Sequence, residues 1–228
     1  AADASLLYDR LPAITDRASR YHEDDIAFTA LGEGSTSEGE FWESLLVSCT
    51  RSLPVLFLVE DNGYAISTPV EVNTPQGSIS RIVASFPGLH IETADGTDLF
   101  DSLRAMRSAA AYVRSRKGPA LVHARVTRPY SHSLSDDERL YKTQAERDDE
   151  ARRDPILRLR QWLVDHGVAR ADELAAMDAA IVQEVDDAAQ RAIAAPKPDP
   201  STAGQYVFSP HVDPTSAAFE TPDRKSHV

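Results

Sequence analysis

Residues 30–68 read ALGEGSTSEGEFWESLLVSCTRSLPVLFLVEDNGYAIST. Two short apolar runs, 26–31 and 54–59, each end in a polar turn. Runs that are apolar on both faces suit parallel strands covered by helices on either side. Glu33 sits in the first turn (Gly32-Glu33-Gly34) and Asn62 in the second (Asp61-Asn62-Gly63-Tyr64), twenty-nine positions later. That spacing is about one βαβ crossover, so two neighbouring parallel strands would deliver an acidic oxygen and an amide oxygen to one sheet edge. A hard cation carrying a phosphate or diphosphate requires such a pair.

The residues between the turns fit the same picture. Ser35, Thr36 and Ser37 offer N-cap oxygens, and Glu38 and Glu40 follow in a first turn. Phe41, Leu45, Leu46 and Cys49 recur at helical spacing, which predicts a helix over 38–50. Its N-terminus favours an anion, and Gly34 lets one approach the backbone closely. Glu33 repels that anion unless a cation stands between them, so the stretch reads as a Mg²⁺–diphosphate site. Either turn alone is also an ordinary turn signal. It is their pairing, one crossover apart, that points to a ligand.

Outside this stretch, apolar runs at 89–93 and 120–126 alternate with helical segments. The alternation predicts an α/β fold, a doubly wound and mainly parallel sheet. Asp98 is placed to cap a helix reaching about Arg116, with a basic last turn and Gly118 at its end. Residues 125–150 are long, polar and without clear periodicity, the character of a functional or mobile loop. Asp154-Pro155 opens an amphipathic helix carrying Ile156, Leu159, Trp162 and Leu163 and ending at Gly167. A second helical region spans 171–195, with 177–178 a candidate break, and Pro196-Lys197-Pro198-Asp199-Pro200 stops it. The expected organisation is a ligand-binding α/β domain over 1–150, a helical extension of it over 151–195, and an extended arm or linker over 196–228. For 215–228 a disordered tail is an equal reading.

The 228 residues suit one large α/β domain with extra elements. The formal net charge of −12, from 24 Lys and Arg against 36 Asp and Glu, opposes non-specific nucleic-acid binding. No basic stripe interleaved with aromatics appears. The single cysteine, Cys49, falls on an apolar helical face, reads as a core thiol and excludes an intrachain disulfide. A reduced, cytoplasmic compartment suits it. No run approaches the roughly eighteen apolar residues of a membrane span and no signal-peptide core is visible, so no membrane association is expected.

Three further motifs follow in order: Asp95-Gly96-Thr97-Asp98, Gly118-Pro119-Ala120-Leu121-Val122, and 128–137, RPYSHSLSDD. With GEGSTSEGEFWESL and LPVLFLVEDNGYAIST they resemble the α subunit of the thiamine-diphosphate-dependent decarboxylating component of 2-oxoacid dehydrogenases, branched-chain and pyruvate types. The resemblance runs from about residue 5 to residue 200. Glu in the first turn, with Ser-Glu-Gly after it, leans toward the branched-chain type or toward chains with α and β halves fused.

The resemblance implies a thiamine-diphosphate-binding fold with thiamine diphosphate and Mg²⁺ as cofactors. Glu33, Asn62 and the main-chain carbonyl of Tyr64 would bind Mg²⁺. Gly34 and Ser35 would line the diphosphate, and Ile66 would touch the bent cofactor between its rings. His132 would handle protons beside the thiazolium, a role suited to an imidazole. Arg128 would brace the loop or the phosphates, and Ser5 and Leu7 would support the cofactor's rings. The implied activity is oxidative decarboxylation of a 2-oxoacid with acyl transfer to a lipoyl group. The implied partners are a β subunit or fused β-like domain, the lipoyl domain of the dihydrolipoyl acyltransferase, and further copies in an oligomer. In this family the glutamate that activates the aminopyrimidine lies on the β part, so these residues are expected to lack turnover alone. The N-terminal segment that carries further diphosphate contacts in the family is likewise expected to be missing from these residues, and an exposed apolar face is expected to drive association. Ser133 matches a serine that is phosphorylated in mitochondrial relatives, where added negative charge would repel substrate.

Two departures from the family pattern favour a second reading. Glu60 stands where members often have arginine, and Ile14-Thr15-Asp16-Arg17 replaces small residues and glycine. The second reading is a non-catalytic structural or assembly fragment of the same fold with weak or no cofactor binding. A transketolase-type relative would share the two turns but does not predict the His-Ser-x-Ser-Asp-Asp loop. Asp136 and Asp137 are expected to order that loop through its own backbone, and Trp42 and Trp162 to serve core or interface.

Overall fold

Each of the four apolar runs becomes a strand: β1 (Ala27–Gly32), β2 (Val55–Asp61), β3 (His90–Asp95) and β4 (Ala120–Arg125). A computed structural model describes residues 24–205 and 207 of the chain. Ser5, Leu7 and the 14–17 stretch lie outside the described residues. All strand pairs of the sheet are parallel, in the order β1-β2-β4-β3.

Adjacent residues of a strand point to opposite faces, and Leu56 and Phe57 show how each face is filled. On one, α1 (Gly39–Thr50) sets Phe41 and Leu45 against Phe57, Val59 and Leu121. On the other, α2 (Leu99–Arg114) lays Ala105, Ala109 and Val113 on Leu56, Ala120 and Val122. Helices on both faces of a parallel sheet make the doubly wound α/β fold predicted above. Leu45 and Leu121 are wholly buried; truncation of either to alanine is worth about 2–5 kcal/mol. Cys49 and Trp42 pack against the α1 cluster, and burial raises the Cys49 thiol above its ordinary range. That is the core role expected of it.

The unit Asp24–Met177 holds the whole sheet. It continues through α3 (Gln144–Arg152) and α4 (Pro155–Asp165) into the start of α5 (Ala171–Ala194). From Asp178 the chain belongs to a second unit, whose described part holds the rest of α5 and a 3₁₀ turn, Pro200–Thr202. The helix α5 runs without interruption through 177–178, so no break occurs there.

Several local expectations are corrected. Ser35, Thr36 and Ser37 do not cap α1: they lie in a 3₁₀ turn, Glu33–Ser37, and Glu38 is the N-cap without a side-chain bond. Their hydroxyls are used elsewhere, Thr36 donating to the Glu33 carbonyl at 2.6 Å and Ser37 to Asn73 Oδ1 at 3.0 Å. Strand β1 is not covered on both faces, since Ala27 to Ala30 are exposed at the sheet edge. Helix α2 ends at Arg114. Gly118 is demanded by packing, because a Cβ there would lie 2.5 Å from the Gly88 carbonyl oxygen. Within the supposed loop 125–150 lies most of α3, opened by a Thr143–Glu146 capping box.

Candidate functional site

Gly32 of β1 registers with Glu60 of β2, so Glu33 and Asn62 leave the sheet at one edge. Glu33 opens the 3₁₀ turn and is only 2 % exposed. Asn62 donates its main-chain N–H to Glu33 Oε2 at 3.2 Å. The other oxygens of the pair, Glu33 Oε1 and Asn62 Oδ1, are buried with no hydrogen-bond partner among the described residues. Burial pushes the Glu33 carboxyl above its ordinary range and Asp61 adds to this, while N–H groups of Glu33 and Asn62 and the charge of Arg128 pull it back. Buried oxygens without donors are unfavourable unless a cation or donor meets them. No three His, Cys, Asp or Glu side chains gather into a metal cluster among the described residues. A cation placed at this edge would meet one carboxylate oxygen and one amide oxygen, donors that suit a hard cation such as Mg²⁺.

The neighbouring residues pack around the turn. A Cβ on Gly34 would lie 2.6 Å from the Ala65 Cβ, so glycine is required here by packing as well as being open to a ligand. Ser35 beside it is exposed. Ala65 belongs to a two-strand hairpin, Tyr64–Ala65 with Thr68–Pro69. Ile66 holds the first position of its two-residue loop at φ +58° and is 55 % exposed. Hairpin turns that match strand twist need positive φ and normally recruit glycine, asparagine or aspartate; a β-branched residue there is strained. Glu60, the departure from the family pattern, is exposed and by strand alternation points to the face opposite Asp61.

Past β4, Arg128 ties this edge to the histidine loop. Its Nη2 donates to the Tyr141 hydroxyl at 2.7 Å, which donates to Asp136 Oδ2 at 2.5 Å. The same Asp136 oxygen accepts the His132 main-chain N–H at 2.8 Å. Burial and Asp136 together push the Tyr141 hydroxyl up to about 12. Arg128 Nε and Nη1 are buried without hydrogen-bond partners among the described residues, and its guanidinium lies 5.9 Å from the Tyr64 ring centroid. The wholly buried Lys142 ammonium donates to Glu150 Oε2 at 2.6 Å and to the Arg128 carbonyl at 3.2 Å. His132 and Ser133 are themselves exposed.

Glu33, Asn62, Gly34, Tyr64 and Arg128 are thus gathered at one edge. Only the main chain of His132 is linked to them, through Asp136, Tyr141 and Arg128, while the residue itself is exposed, and Ser5 and Leu7 are outside the described residues. Sequence reasoning missed Asp61, His123, Tyr141 and Lys142. For His123 a signal existed: a lone histidine interrupts the apolar run at 120–126. It lies 2 % exposed with Nε2 2.7 Å from Asp61 Oδ2. Burial acts to raise the Asp61 carboxyl, but hydrogen bonds from His123 and Gly63 and the charges of His123 and Arg125 outweigh it and hold Asp61 below its ordinary range.

Residues 12–201 match the family described as Dehydrogenase E1 component. The chain belongs to this family. It is 32 % identical over 194 residues to the pyruvate dehydrogenase E1 component subunit alpha, somatic form, mitochondrial, of Homo sapiens, covering 84 % of this chain and 49 % of that protein. The mitochondrial E1 component subunit alpha of Sminthopsis macroura is likewise 32 % identical over 194 residues, 84 % of this chain and 53 % of that protein. The subunit alpha of Mycoplasma pneumoniae is 34 % identical over 166 residues, 72 % of this chain and 46 % of that protein. Within the E1 family the likeness is therefore to alpha-type components. The chain spans about half the length of the curated relatives it matches. No helix among the described residues is long and apolar enough to cross a membrane.

Proposed function

We propose that this chain is the α part of a thiamine-diphosphate-dependent 2-oxoacid dehydrogenase E1 component. The observation that carries the reading is the pair of buried oxygens on Glu33 and Asn62 at one sheet edge, without a partner among the described residues. These oxygens, with the main-chain carbonyl of Tyr64, would hold Mg²⁺; Gly34 and Ser35 would line the diphosphate. Arg128, whose Nε and Nη1 have no partner among the described residues, would give that anion a cationic neighbour. The strained Ile66 side chain would support the cofactor between its rings. Thiamine diphosphate supplies the nucleophile for the 2-oxo carbon and the electron sink for loss of CO₂.

The residues of the chain then bind, orient and move protons. The Asp136–Tyr141–Arg128 bonds fix the loop so that the exposed His132 imidazole can give or take a proton at the substrate-derived group. Residues 1–150 carry the site and 151–195 form a helical extension. A β-type subunit or fused β-like domain completes the site, the lipoyl domain of an acyltransferase accepts the acyl unit, and the assembly is oligomeric in a cytoplasmic setting. Glu60, acidic where a basic group would help an anion, favours the rival reading of a fragment that binds cofactor weakly.

The reading is tested by following CO₂ release from a 2-oxoacid with an artificial electron acceptor. The chain alone is expected to be silent and to gain turnover with a β-type partner, and His132→Ala is expected to lose about 10²–10⁴-fold. Turnover by the chain alone, or full activity in the His132 variant, contradicts it.

A further inference from the structure

Asp61 stands next to Asn62 and carries a carboxylate, a stronger ligand for a hard cation than an amide. Both of its oxygens are already engaged. Oδ1 accepts the Gly63 N–H at 2.9 Å, and Oδ2 lies 2.7 Å from His123 Nε2. Its carbonyl accepts the Val126 N–H at 2.8 Å, so backbone and side chain are both pinned. His123 is oriented in turn, its Nδ1 lying 2.9 Å from Ser80 Oγ, which is 3.2 Å from Ser78 Oγ. Ser80 Oγ and Asp61 Oδ2 thus meet the imidazole at its two nitrogens and fix the orientation of the ring. Asp61 and His123 are 8 % and 2 % exposed, so no bulk water competes for these bonds. Ser78, Ser80 and His123 share the wall of a cavity of about 470 Å³ with Arg81 and Arg125.

We propose that His123, braced by Ser80, is a positioning residue for the cation site: it holds the Asp61 carboxylate out of that site and leaves the Asn62 amide oxygen as the side-chain ligand the turn presents. The inference rests on the Mg²⁺–diphosphate reading of Glu33 and Asn62. Without His123, Asp61 Oδ2 becomes a buried carboxylate oxygen with no donor, free to turn toward the cation. A second carboxylate beside Glu33 satisfies the metal but repels the diphosphate it must carry.

The test is calorimetric titration of thiamine diphosphate into the full chain at saturating Mg²⁺, with Mn²⁺ binding followed separately by electron paramagnetic resonance. His123→Phe is expected to weaken diphosphate binding by about tenfold or more, while Mn²⁺ alone binds as well as to wild type or better. Asp61→Asn keeps an acceptor for Gly63 and is expected to bind like wild type. The double variant Asp61→Asn/His123→Phe is expected to regain most of the lost affinity, because no carboxylate remains to be restrained. Ser80→Ala leaves the buried pair in place and is expected to show a smaller loss in the same direction; it carries the test if His123→Phe does not fold. Wild-type binding with no loss in His123→Phe or Ser80→Ala, or equal losses with and without Asp61→Asn, overturns the inference alone. Wild type that fails to bind overturns the cofactor reading and this inference with it.

Discussion

Asn62 gives its main-chain N–H to Glu33 Oε2 at 3.2 Å, while its amide oxygen and Glu33 Oε1 are buried and unpartnered among the described residues. The bond fixes the two turns relative to each other and leaves one oxygen of each side chain without a partner among the described residues. Such a site is unfavourable to the unliganded fold. Glu33→Gln keeps an acceptor for Asn62 while removing the buried charge. It is expected to stabilise the unliganded chain by roughly 1 kcal/mol, read by urea denaturation. A loss of stability would mean that the carboxylate is satisfied without a cation.

Gly34 is held against Ala65 at a distance that no Cβ tolerates. Gly34→Ala is expected to destabilise by about 1–3 kcal/mol, and Ala65→Gly in the same chain to restore most of it. Thermal unfolding of the single and double variants measures the coupling. Additive losses would place the glycine's role elsewhere.

Ile66 is strained and half-exposed at φ +58°. Asparagine accepts that conformation readily, so Ile66→Asn is expected to raise unliganded stability by about 1 kcal/mol and to weaken thiamine-diphosphate binding. A variant that gains stability with unchanged affinity would separate Ile66 from the cofactor.

The histidine loop should be insensitive to pH over the working range. Asp136 is held below its ordinary value of 3.8, first by the Tyr141 hydroxyl and then by the His132 N–H. A carboxyl depressed in the folded state stabilises the loop above that ordinary value, and the contribution disappears as pH falls through the lowered one. Protection of the His132 amide, measured by hydrogen exchange and corrected for intrinsic rates, is expected to be flat from neutrality to about pH 5. Loosening well above 3.8 would contradict this.

How much of this was legible depended on apolar content. The four strands and α1, α2 and α4 show themselves by runs or periodicity, because each buries a face. Helix α3 did not: Glu150 is its only buried residue, so no apolar stripe marks it, although the Thr143–Glu146 capping box was there to be read. Exposure of β1 was hidden because an apolar strand reads alike at an edge or in the centre. Glu33 and Asn62 were legible from turn chemistry one crossover apart. His123 showed only as a histidine within an apolar run; its role was hidden because Asp61, brought near by the β2–β4 register, and Ser80, on the short helix Ile79–Ile82, are distant in sequence. Ser35 to Ser37 misled because a run of hydroxyls offers caps for several turn types, and the 3₁₀ turn took them.

The central claim is that Glu33 and Asn62 hold a cation that carries thiamine diphosphate. Calorimetric titration of thiamine diphosphate, with and without Mg²⁺, into wild type, Glu33→Ala and Asn62→Ala tests it most directly. The account predicts binding to wild type that requires Mg²⁺, with each variant weakened by about 10–100-fold or more. Wild type that does not bind, or variants that bind as wild type does, would contradict it.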